Sequence, residues 1–237
     1  MNTVLITGSN SGIGFYTTKL FLEKGFKVFA HYHCKNDKLK EIKDKNLVLI
    51  KADLNRTSNA NKLMEKIFRK TQKLDILINN AGLYEAVESF EDLSIEHLER
   101  ALNVNLKSPY ILSKLYIDMM KKYNKGNIVN ISSIGVKFNG SINSLPYTIS
   151  KAALEKMTLA MSKEASKFNI LINALRIGVT NTDIHSKASN KNLDKRIDLI
   201  PLKRMAEPNE IAKYIYFIST EENTYMTGSV ITIAGGE

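Results

Sequence analysis

The chain has 237 residues, 43% of them hydrophobic, and its 34 basic and 24 acidic residues give a formal net charge of +10. This length and hydrophobic content support one large core, so we expect a single domain over residues 1–237. The lone cysteine, Cys34, excludes an internal disulfide, and we find neither a charged-then-apolar leader nor an apolar run of about 20 residues, which predicts a cytoplasmic protein without a membrane span.

The first predicted element is a short apolar strand that runs directly into a glycine-rich turn. Val4–Ile6 is too short for a helix, and the sequence Thr-Gly-Ser-Asn-Ser-Gly-Ile-Gly follows it at residues 7–14. Apolar residues then recur at helical spacing over residues 13–24. A strand, a glycine turn and a helix in this order predict the opening of a nucleotide-binding βαβ unit.

The glycines of this turn have separate predicted tasks. Gly8 allows the tight turn off the strand, Gly12 lets a pyrophosphate approach the backbone, and Gly14 lets the helix pack on the sheet. The helix N-terminus supplies free N–H groups and a partial positive charge for the phosphates. The predicted cofactor contacts in this unit are Gly8, Ser11, Gly12, Ile13 and Gly14.

The rest of the chain alternates short apolar strands with amphipathic helices. The predicted strands are 4–6, 27–31, 47–51, 76–79, 127–132, 171–175 and 230–233. The predicted helices are 13–24, 57–71, 94–122, 146–167 and 208–219. This alternation predicts an α/β fold with a Rossmann-type, doubly wound parallel sheet of about seven strands and helices on both faces. Residues 183–207 lack a clear period, so we expect a functional loop there.

Tyr147 and Lys151 lie four residues apart on a predicted helix, in the sequence Tyr-Thr-Ile-Ser-Lys. This spacing places both side chains on one helix face, about a turn apart. The lysine charge then favours the phenolate, so we expect Lys151 to lower the pKa of Tyr147 and to make the phenol a usable proton donor. Tyrosine and lysine at this spacing are also common on solvated helix faces, so the pair needs support from other motifs.

Several such motifs occur in order along the chain. They are Thr-Gly-x-x-x-Gly-x-Gly at 7–14, Asn-Asn-Ala-Gly at 79–82, a serine upstream of Tyr-x-x-x-Lys at 147–151, and Thr-Gly-Ser-Val-Ile-Thr-Ile-Ala-Gly-Gly at 227–236. Together they resemble the short-chain dehydrogenase/reductase family over essentially the whole chain, with a general look closest to the 3-oxoacyl-acyl-carrier-protein reductase type. The resemblance implies an NAD(P)(H)-dependent oxidoreductase that moves a hydride between nicotinamide and a carbonyl or alcohol. It also implies a homo-oligomer, either a tetramer or a dimer, formed through the long helices over 94–122 and 146–167.

The same resemblance assigns roles to the catalytic candidates. Tyr147 is the acid/base, and Lys151 also hydrogen-bonds the nicotinamide ribose. Ser133 binds the substrate oxygen and fixes its position. Ser132 is a rival, because the family's usual distance along the chain from serine to tyrosine is one residue shorter than the distance from Ser133 to Tyr147. Asn105 steadies a bound water and links the lysine to solvent. The alternative for Asn105 is a polar residue that the helix merely tolerates, or a kink.

Further cofactor contacts also follow from the resemblance. Asp53 and Leu54 match the family's adenine contact, although Asp53 also suits a helix cap. The remaining matches are Asn79, Ala81, Gly82, Gly178, Thr180 and Thr182. Two departures lie on the substrate side: Ile177 replaces the family's proline, which leaves this loop less preorganised, and the segment 135–146 is lengthened.

The end of the second predicted strand indicates which dinucleotide is used. A residue at this place faces the adenosine ribose, where a carboxylate binds a 2′-hydroxyl and repels a 2′-phosphate. Tyr32 stands about where NAD-type family members carry this acid, and no carboxylate follows before Asp37. His33 and Lys35 are able to meet a phosphate, so we expect NADP(H) to be preferred, with NAD(H) as the alternative.

Three neighbouring residues invite a metal-site interpretation, because imidazole and thiolate are common zinc ligands. A strand directs His31 and His33 to one face and Cys34 to the other, which prevents a three-ligand cluster. We therefore expect no metal.

The net charge of +10 suits an acidic partner, such as nucleic acid or an acidic carrier protein that presents the substrate. Lysines are spread along most predicted helices, which is typical of a solvated surface, so we expect a small carbonyl or alcohol substrate and no nucleic acid.

Two other functions stay open. One is a non-catalytic dinucleotide-binding sensor or scaffold, against which the intact serine, tyrosine and lysine argue. The other is a basic nucleic-acid-binding protein with steeply salt-dependent affinity.

Overall fold

A parallel sheet of seven strands forms the centre of the computed structural model, which describes residues 1–182 and 193–237. The strands are β1 (Thr3–Ile6), β2 (Lys27–Tyr32), β3 (Leu47–Lys51), β4 (Ile76–Asn79), β5 (Gly126–Ser133), β6 (Ile170–Ile177) and β7 (Val230–Ile233). Their order across the sheet is β3-β2-β1-β4-β5-β6-β7. The predicted doubly wound parallel sheet is therefore confirmed.

The helices are α1 (Gly12–Glu23), α2 (Asp37–Glu41), α3 (Ser58–Phe68), α4 (Ile95–Leu102), α5 (Ser108–Met120), α6 (Leu145–Ala165), α7 (Leu193–Asp198) and α8 (Pro208–Ser219). The single helix predicted over 94–122 is present as α4 and α5, which are joined by a π-helical turn over Asn103–Lys107. The short helices α2 and α7 were not predicted, because a few residues give no measurable period. Among the described helices, none has both the length and the apolar character that a bilayer span needs.

Alternating side chains on the strands build two hydrophobic layers, one on each face of the sheet. Val4 and Ile6 of β1 pack in the cluster that α1 and α8 cover. Leu5, between them, points to the opposite face and joins the cluster formed with α3, α5 and the end of α6. Helices on both faces explain why the strands are apolar almost throughout.

The direction of chain winding reverses at β1, which pairs with β2 on one side and with β4 on the other. Crevices outside the carboxyl ends of the strands at such a switch point are where ligands bind in open α/β sheets. The glycine turn follows β1 and the Asn-Asn-Ala-Gly segment follows β4, so this topology brings both motifs to the same crevice.

The predicted functional loop over 183–207 is described only in its second part, because residues 183–192 lie outside the described residues. After α7 the chain is fastened to the residues that follow β7. The Leu202 amide donates to the Gly235 carbonyl at 3.1 Å, and Arg196 Nη2 lies 2.5 Å from Glu237 Oε1. These contacts hold the end of the loop beside the last strand.

Candidate active site

The glycine turn has the backbone shape that its glycines were predicted to allow. Gly8 and Gly12 have φ angles of +70° and +50°, a region that residues with a Cβ rarely adopt. A Cβ at Gly8 would lie 2.9 Å from the Ala81 Cα, and one at Gly14 would overlap the Gly8 carbonyl. The turn therefore leaves the N-terminus of α1 open and brings β1 and β4 close together.

A buried histidine on the neighbouring strand β2 holds this turn in place. His31 on β2 is 2% exposed, accepts a hydrogen bond from the Gly8 amide at Nδ1 (3.2 Å), and has Nε2 3.1 Å from the Ala52 carbonyl. Burial lowers the pKa of His31 to about 4, so the ring is neutral, and Nε2 carries the proton because only that nitrogen faces an acceptor. In the sequence His31 suggested only a metal ligand, and no pattern there indicated this role.

Asn80, rather than its predicted neighbour Asn79, is the asparagine of this motif whose side chain reaches the glycine turn. Asn80 Nδ2 donates to the Thr7 and Gly8 carbonyls at 2.8 and 3.1 Å, which joins the segment after β4 to the glycine turn. Asn79 is 2% exposed, and its Nδ2 donates inward to Asn130 Oδ1 at 2.8 Å. Successive residues at the end of a strand point to opposite faces, so the motif alone could not indicate which amide meets the ligand.

These elements surround a cavity of about 360 Å³ at the carboxyl edge of the sheet. Its walls include most predicted cofactor residues: Gly8, Ser11, Gly12, Ile13, Gly14, Ala81, Gly82, Gly178, Thr180 and Thr182. Three of the four catalytic candidates, Ser133, Tyr147 and Lys151, lie in the same wall, together with the rival Ser132, with Ile177, and with the unpredicted Asn80, Tyr84 and Ile131. Among the described residues, no carboxylate lines this cavity, so it is suited to an anionic ligand.

Tyr147 lies in the first turn of α6, where the helix dipole favours a negative charge. Burial nevertheless raises the pKa of Tyr147 to about 12, and a hydrogen bond with Ser133 opposes this shift. This direction is opposite to the lowering by Lys151 that the sequence predicted. The reason is that spacing along a helix predicts which residues are neighbours but does not predict how deeply they are buried.

Lys151 is itself buried, with 3% exposure, and its ammonium lies 5.7 Å from the centre of the Tyr147 ring. Nζ donates to the Ile131 carbonyl at 2.7 Å. A neutral carbonyl compensates only partly for the loss of water, so burial lowers the pKa of Lys151 to about 8.

Ser133 and its rival Ser132 point to opposite sides of β5. Ser133 faces Tyr147 and lowers the pKa of its phenol, while its predicted contact with the substrate oxygen stays a prediction. The Ser132 hydroxyl instead donates to Glu155 Oε1 at 2.7 Å, and Arg176 binds both oxygens of Glu155, at 3.0 and 2.6 Å. The geometry therefore favours Ser133 as the partner of the tyrosine.

Asn105 is fully buried in the π-helical turn and does not reach the cavity wall. Its Oδ1 accepts from the Leu83 amide at 2.7 Å, and its Nδ2 donates to the Leu83 carbonyl and to Ser150 Oγ, both at 2.9 Å. Ser150 Oγ in turn donates to the Tyr147 carbonyl at 2.6 Å. Asn105 is therefore not merely tolerated by the helix, because it ties the residues after β4 to the first turn of α6. Its predicted contact with a bound water stays a prediction.

The predicted adenosine contacts lie outside the cavity wall. His33 is exposed, and its Nε2 lies 3.6 Å from Asp53 Oδ1. Asp53 Oδ1 also accepts from the Asn55 amide at 3.0 Å, which closes a turn after β3. Leu54 is buried, and its carbonyl accepts from Ser108 Oγ at 2.7 Å. Of these three predicted contacts, the His33 and Asp53 side chains are 61% and 33% exposed, whereas Leu54 is buried.

The loop after β6 closes the cavity on the side opposite Asn80. Gly178 is required because a Cβ there would lie 2.7 Å from the Ala234 Cα. Thr180 Oγ1 donates to the Gly178 carbonyl at 3.1 Å, and Thr182 packs its methyl group against Gly12. Ile177, in place of the expected proline, is 5% exposed and packs in the core, so its side chain supports this loop.

A metal site has no support in the part of the chain that the structure describes, where no three His, Cys, Asp or Glu residues converge. Both ring nitrogens of His31 contact backbone atoms, and Cys34 is exposed.

Comparisons with known proteins agree with this geometry. A family model described as enoyl-(acyl carrier protein) reductase matches residues 8–237. The chain is 34% identical to a 3-oxoacyl-acyl-carrier-protein reductase of Thermotoga maritima, over 98% of this chain and 96% of the relative. It is 30% identical to an acetoacetyl-CoA reductase of an Acinetobacter strain, over 98% of this chain and 96% of the relative.

Two solved structures share the fold closely. One is a 4-hydroxyisoleucine dehydrogenase complexed with NADH, with a TM-score of 0.92, 31% identity, and coverage of 100% of this chain and 98% of that one. The other is ElxO with NADP bound, with a TM-score of 0.89, 28% identity, and coverage of 99% and 98%. The chain belongs to the short-chain dehydrogenase/reductase family of nucleotide-dependent oxidoreductases.

Proposed function

We propose that the protein is an NADP(H)-dependent carbonyl reductase or alcohol dehydrogenase that uses Tyr147 as its acid/base. The observation that carries this proposal is the convergence of Ser133, Tyr147 and Lys151 in one cavity wall with the glycine turn. A binding module would need the turn alone, whereas a proton donor with a hydrogen-bonded serine and a buried amine serves chemistry.

The residues present fit a dinucleotide. The turn offers positive-φ glycines at the open N-terminus of α1, and Asn10 Oδ1 is buried there without a hydrogen-bond partner among the described residues. Such an acceptor suits a ribose hydroxyl, and the helix N-terminus suits a pyrophosphate. When bound, a nicotinamide dinucleotide supplies or accepts the hydride. Gly12, Gly14, Asn80 and Thr182 are the residues that would hold it.

The chain's own residues manage the proton. Ser133 positions the substrate oxygen, and the Tyr147 hydroxyl gives its proton to that oxygen as negative charge develops. The phenolate left behind is stabilised by the α6 N-terminus and by Lys151 in its charged form. Asn105 keeps the Tyr147 turn in place through Ser150. In the oxidising direction the Tyr147 phenolate accepts the proton of the substrate hydroxyl and becomes the phenol again.

A 3-oxoacyl thioester is the substrate class that we put first. The relatives named as 3-oxoacyl-acyl-carrier-protein reductase and acetoacetyl-CoA reductase act, by their names, on such compounds. A net charge of +10 also suits an acidic carrier protein that delivers the thioester. Equal kcat/KM for a carrier-bound ketone and its small thioester analogue at low salt would contradict carrier recognition.

NADP(H) is the dinucleotide that we put first. The last residue of β2 is Tyr32, which is not acidic, and His33 and Lys35 are exposed beside it. Asp53 lies close to His33 and weakens this preference, since its carboxylate is the nearest acid to the expected ribose position. Separate titrations with NADH and NADPH test the preference, and comparable affinities would contradict it.

The test of the activity itself is oxidation of NADPH in the presence of 3-oxobutanoyl thioester or a generic ketone. We expect turnover by the natural protein and a loss of roughly 10²–10⁴-fold in the Tyr147→Phe variant, which keeps the ring but removes the proton. Tyr225→Phe, at a position that is 94% exposed, is the matched control and should retain full activity. Cofactor binding without turnover of any carbonyl compound would favour the sensor or scaffold.

We also propose that copies of the chain associate through α5 and α6. Leu106, Tyr110, Ile111 and Met157 line a largely apolar surface depression between these helices, although Leu154 on the same helix is core. Analytical ultracentrifugation should give a dimer or tetramer, and Tyr110→Glu with Met157→Lys should shift it toward monomer. An unchanged mass for this double variant would exclude the interface.

A further inference from the structure

Tyr84 is a second phenol in the cavity wall, two residues beyond Gly82. Its ring meets the ring of Tyr147 edge to face, with centroids 5.2 Å apart and an interplanar angle of 78°. Aromatic pairs with this geometry are favourable beyond the area that they bury. The two phenols therefore form one wall of the cavity beside Ser133.

The position of Tyr84 is fixed by the same residue that fixes Tyr147. The backbone of Leu83, next to Tyr84, is hydrogen-bonded through both its amide and its carbonyl to the buried Asn105 side chain. Asn105 also reaches Ser150, which donates to the Tyr147 carbonyl. One amide thus holds both tyrosine-bearing segments, so their relative placement is defined before any ligand arrives.

The Tyr84 hydroxyl has no protein hydrogen-bond partner among residues 1–182 and 193–237, although the side chain is half-buried in the wall. Burial raises the pKa of Tyr84, so its hydroxyl remains a donor at physiological pH. A half-buried phenol usually finds a partner for its hydroxyl. In this cavity the groups that can supply one are water and the substrate.

We propose that Tyr84 determines substrate specificity by donating a hydrogen bond to a second oxygen of the substrate, near the carbonyl that Tyr147 protonates. The site then selects carbonyl compounds with an oxygen one or two carbons from the reacting carbon, such as 3-oxoacyl thioesters, over simple ketones. A site built to hydrogen-bond a substrate oxygen discriminates against a compound that lacks it, because its donor is left without a partner. This inference rests on the proposed function and deepens it.

The deciding experiment compares two substrates in two variants. Tyr84→Phe keeps the ring against Tyr147 and removes only the hydroxyl, so kcat/KM for 3-oxobutanoyl-N-acetylcysteamine should fall roughly fivefold to tenfold, chiefly through KM. For cyclohexanone the same variant should change kcat/KM less than twofold. Tyr84→Leu also removes the ring and should lower kcat for both substrates. Tyr225→Phe, at an exposed position, is the matched control, and thermal unfolding checks that every variant folds.

A binding measurement keeps the inference separate from the proposed function. Calorimetry of 3-hydroxybutanoyl-N-acetylcysteamine with the natural protein and Tyr84→Phe should show about fivefold to tenfold weaker binding by the variant, and cyclohexanol should show no difference. Absence of turnover by the natural protein would overturn the proposed function, whereas the binding difference would still support Tyr84 as a donor. Equal losses for both substrates, or equal binding of the thioester, would reduce Tyr84 to a packing residue and overturn the inference.

Discussion

Two buried charged side chains lie one turn apart on α6, and their surroundings differ. Lys151, with 3% exposure, has a backbone carbonyl as its hydrogen-bond acceptor. Glu155, with 5% exposure, accepts from the Ser132 hydroxyl and from two nitrogens of Arg176. Both side chains fasten α6 to the sheet, but the structure provides a counter-ion for only the second.

This difference separates a chemical role from a structural one. A buried charge with a bidentate partner of opposite sign is stabilised in its charged form and stays there. A buried ammonium that faces a neutral carbonyl has a pKa near the working pH, so its charge responds to its surroundings. Lys151 can therefore supply charge when the phenolate forms, while Glu155 holds the helix in register.

The largest expected effect comes from replacing Lys151. Lys151→Met should lower kcat/KM by roughly 10²–10⁴-fold, because the developing phenolate loses its nearby cation. The same change should stabilise the fold by about 2 kcal/mol at pH 7. The lowered pKa of Lys151 means that its charged form opposes folding below pH 8, and the variant no longer bears this cost. The hydrogen bond that the variant loses offsets part of the gain.

Kinetics and urea unfolding measure the two effects, and Lys156→Met, at an exposed position on the same helix, is the control that should change neither. A Lys151→Met protein that is less stable than the natural one would show that this lysine is structural, like Glu155.

The next effect concerns Glu155. Glu155→Gln leaves the Arg176 guanidinium without its carboxylate, so the free energy of unfolding should fall by about 3–5 kcal/mol. Replacing both partners, in Glu155→Leu with Arg176→Met, should recover most of this loss. Urea denaturation of the single and double variants gives the coupling between the two positions. A loss below 1 kcal/mol in Glu155→Gln would mean that the pair adds nothing to stability.

The two neighbouring serines sharpen the contrast further. Ser132→Ala removes a hydrogen bond to a charged group and should destabilise the fold by about 2 kcal/mol with kcat within threefold of the natural value. Ser133→Ala should do the reverse, lowering kcat roughly tenfold or more with little change in stability. Parallel unfolding curves and initial rates distinguish them, and an exchange of these two phenotypes would make Ser132 the catalytic serine.

The last test of this comparison changes no residue and is a pH dependence. Lys151 is charged below its pKa of about 8 and loses this charge as pH rises, whereas Tyr147, with a pKa of about 12, keeps its proton throughout. In the reducing direction kcat/KM should be level below pH 8 and fall about tenfold per unit above it. Initial rates from pH 6 to 10 measure this fall in kcat/KM above pH 8, and the Lys156→Met variant should show the same fall. A flat profile up to pH 10 would contradict the assignment.

Features that depend on local backbone geometry were predictable from the sequence. The strand, turn and helix at residues 4–24 are present, and the glycines are needed where their spacing placed them, because positive φ angles and close approach leave few other choices. The parallel sheet followed from the alternation of strands and helices.

Features that depend on contacts between distant residues were not predictable. The roles of His31 under the glycine turn, of Tyr84 against Tyr147, and of Arg176 with Glu155 each arise from residues that only the fold brings together. Tyr84 has one signal in the sequence, its position just after Asn-Asn-Ala-Gly, where a segment leaves the strand at the ligand crevice. The rise in the Tyr147 pKa was missed for the same reason, since burial is a property of the whole structure.

The π-helical turn over Asn103–Lys107 makes chain length critical at one point of an otherwise ordinary helix. Deleting a single residue there would remove the extra residue that the wider π-helical bonding holds and would allow regular i to i−4 bonding, with little rotation of α5 relative to α4. The amide of Asn105 would then leave the interior, and both tyrosine segments would lose their shared anchor. Insertions and deletions should therefore be excluded from this helix across natural variants, while the loop between Ser133 and Tyr147 is free to change in length.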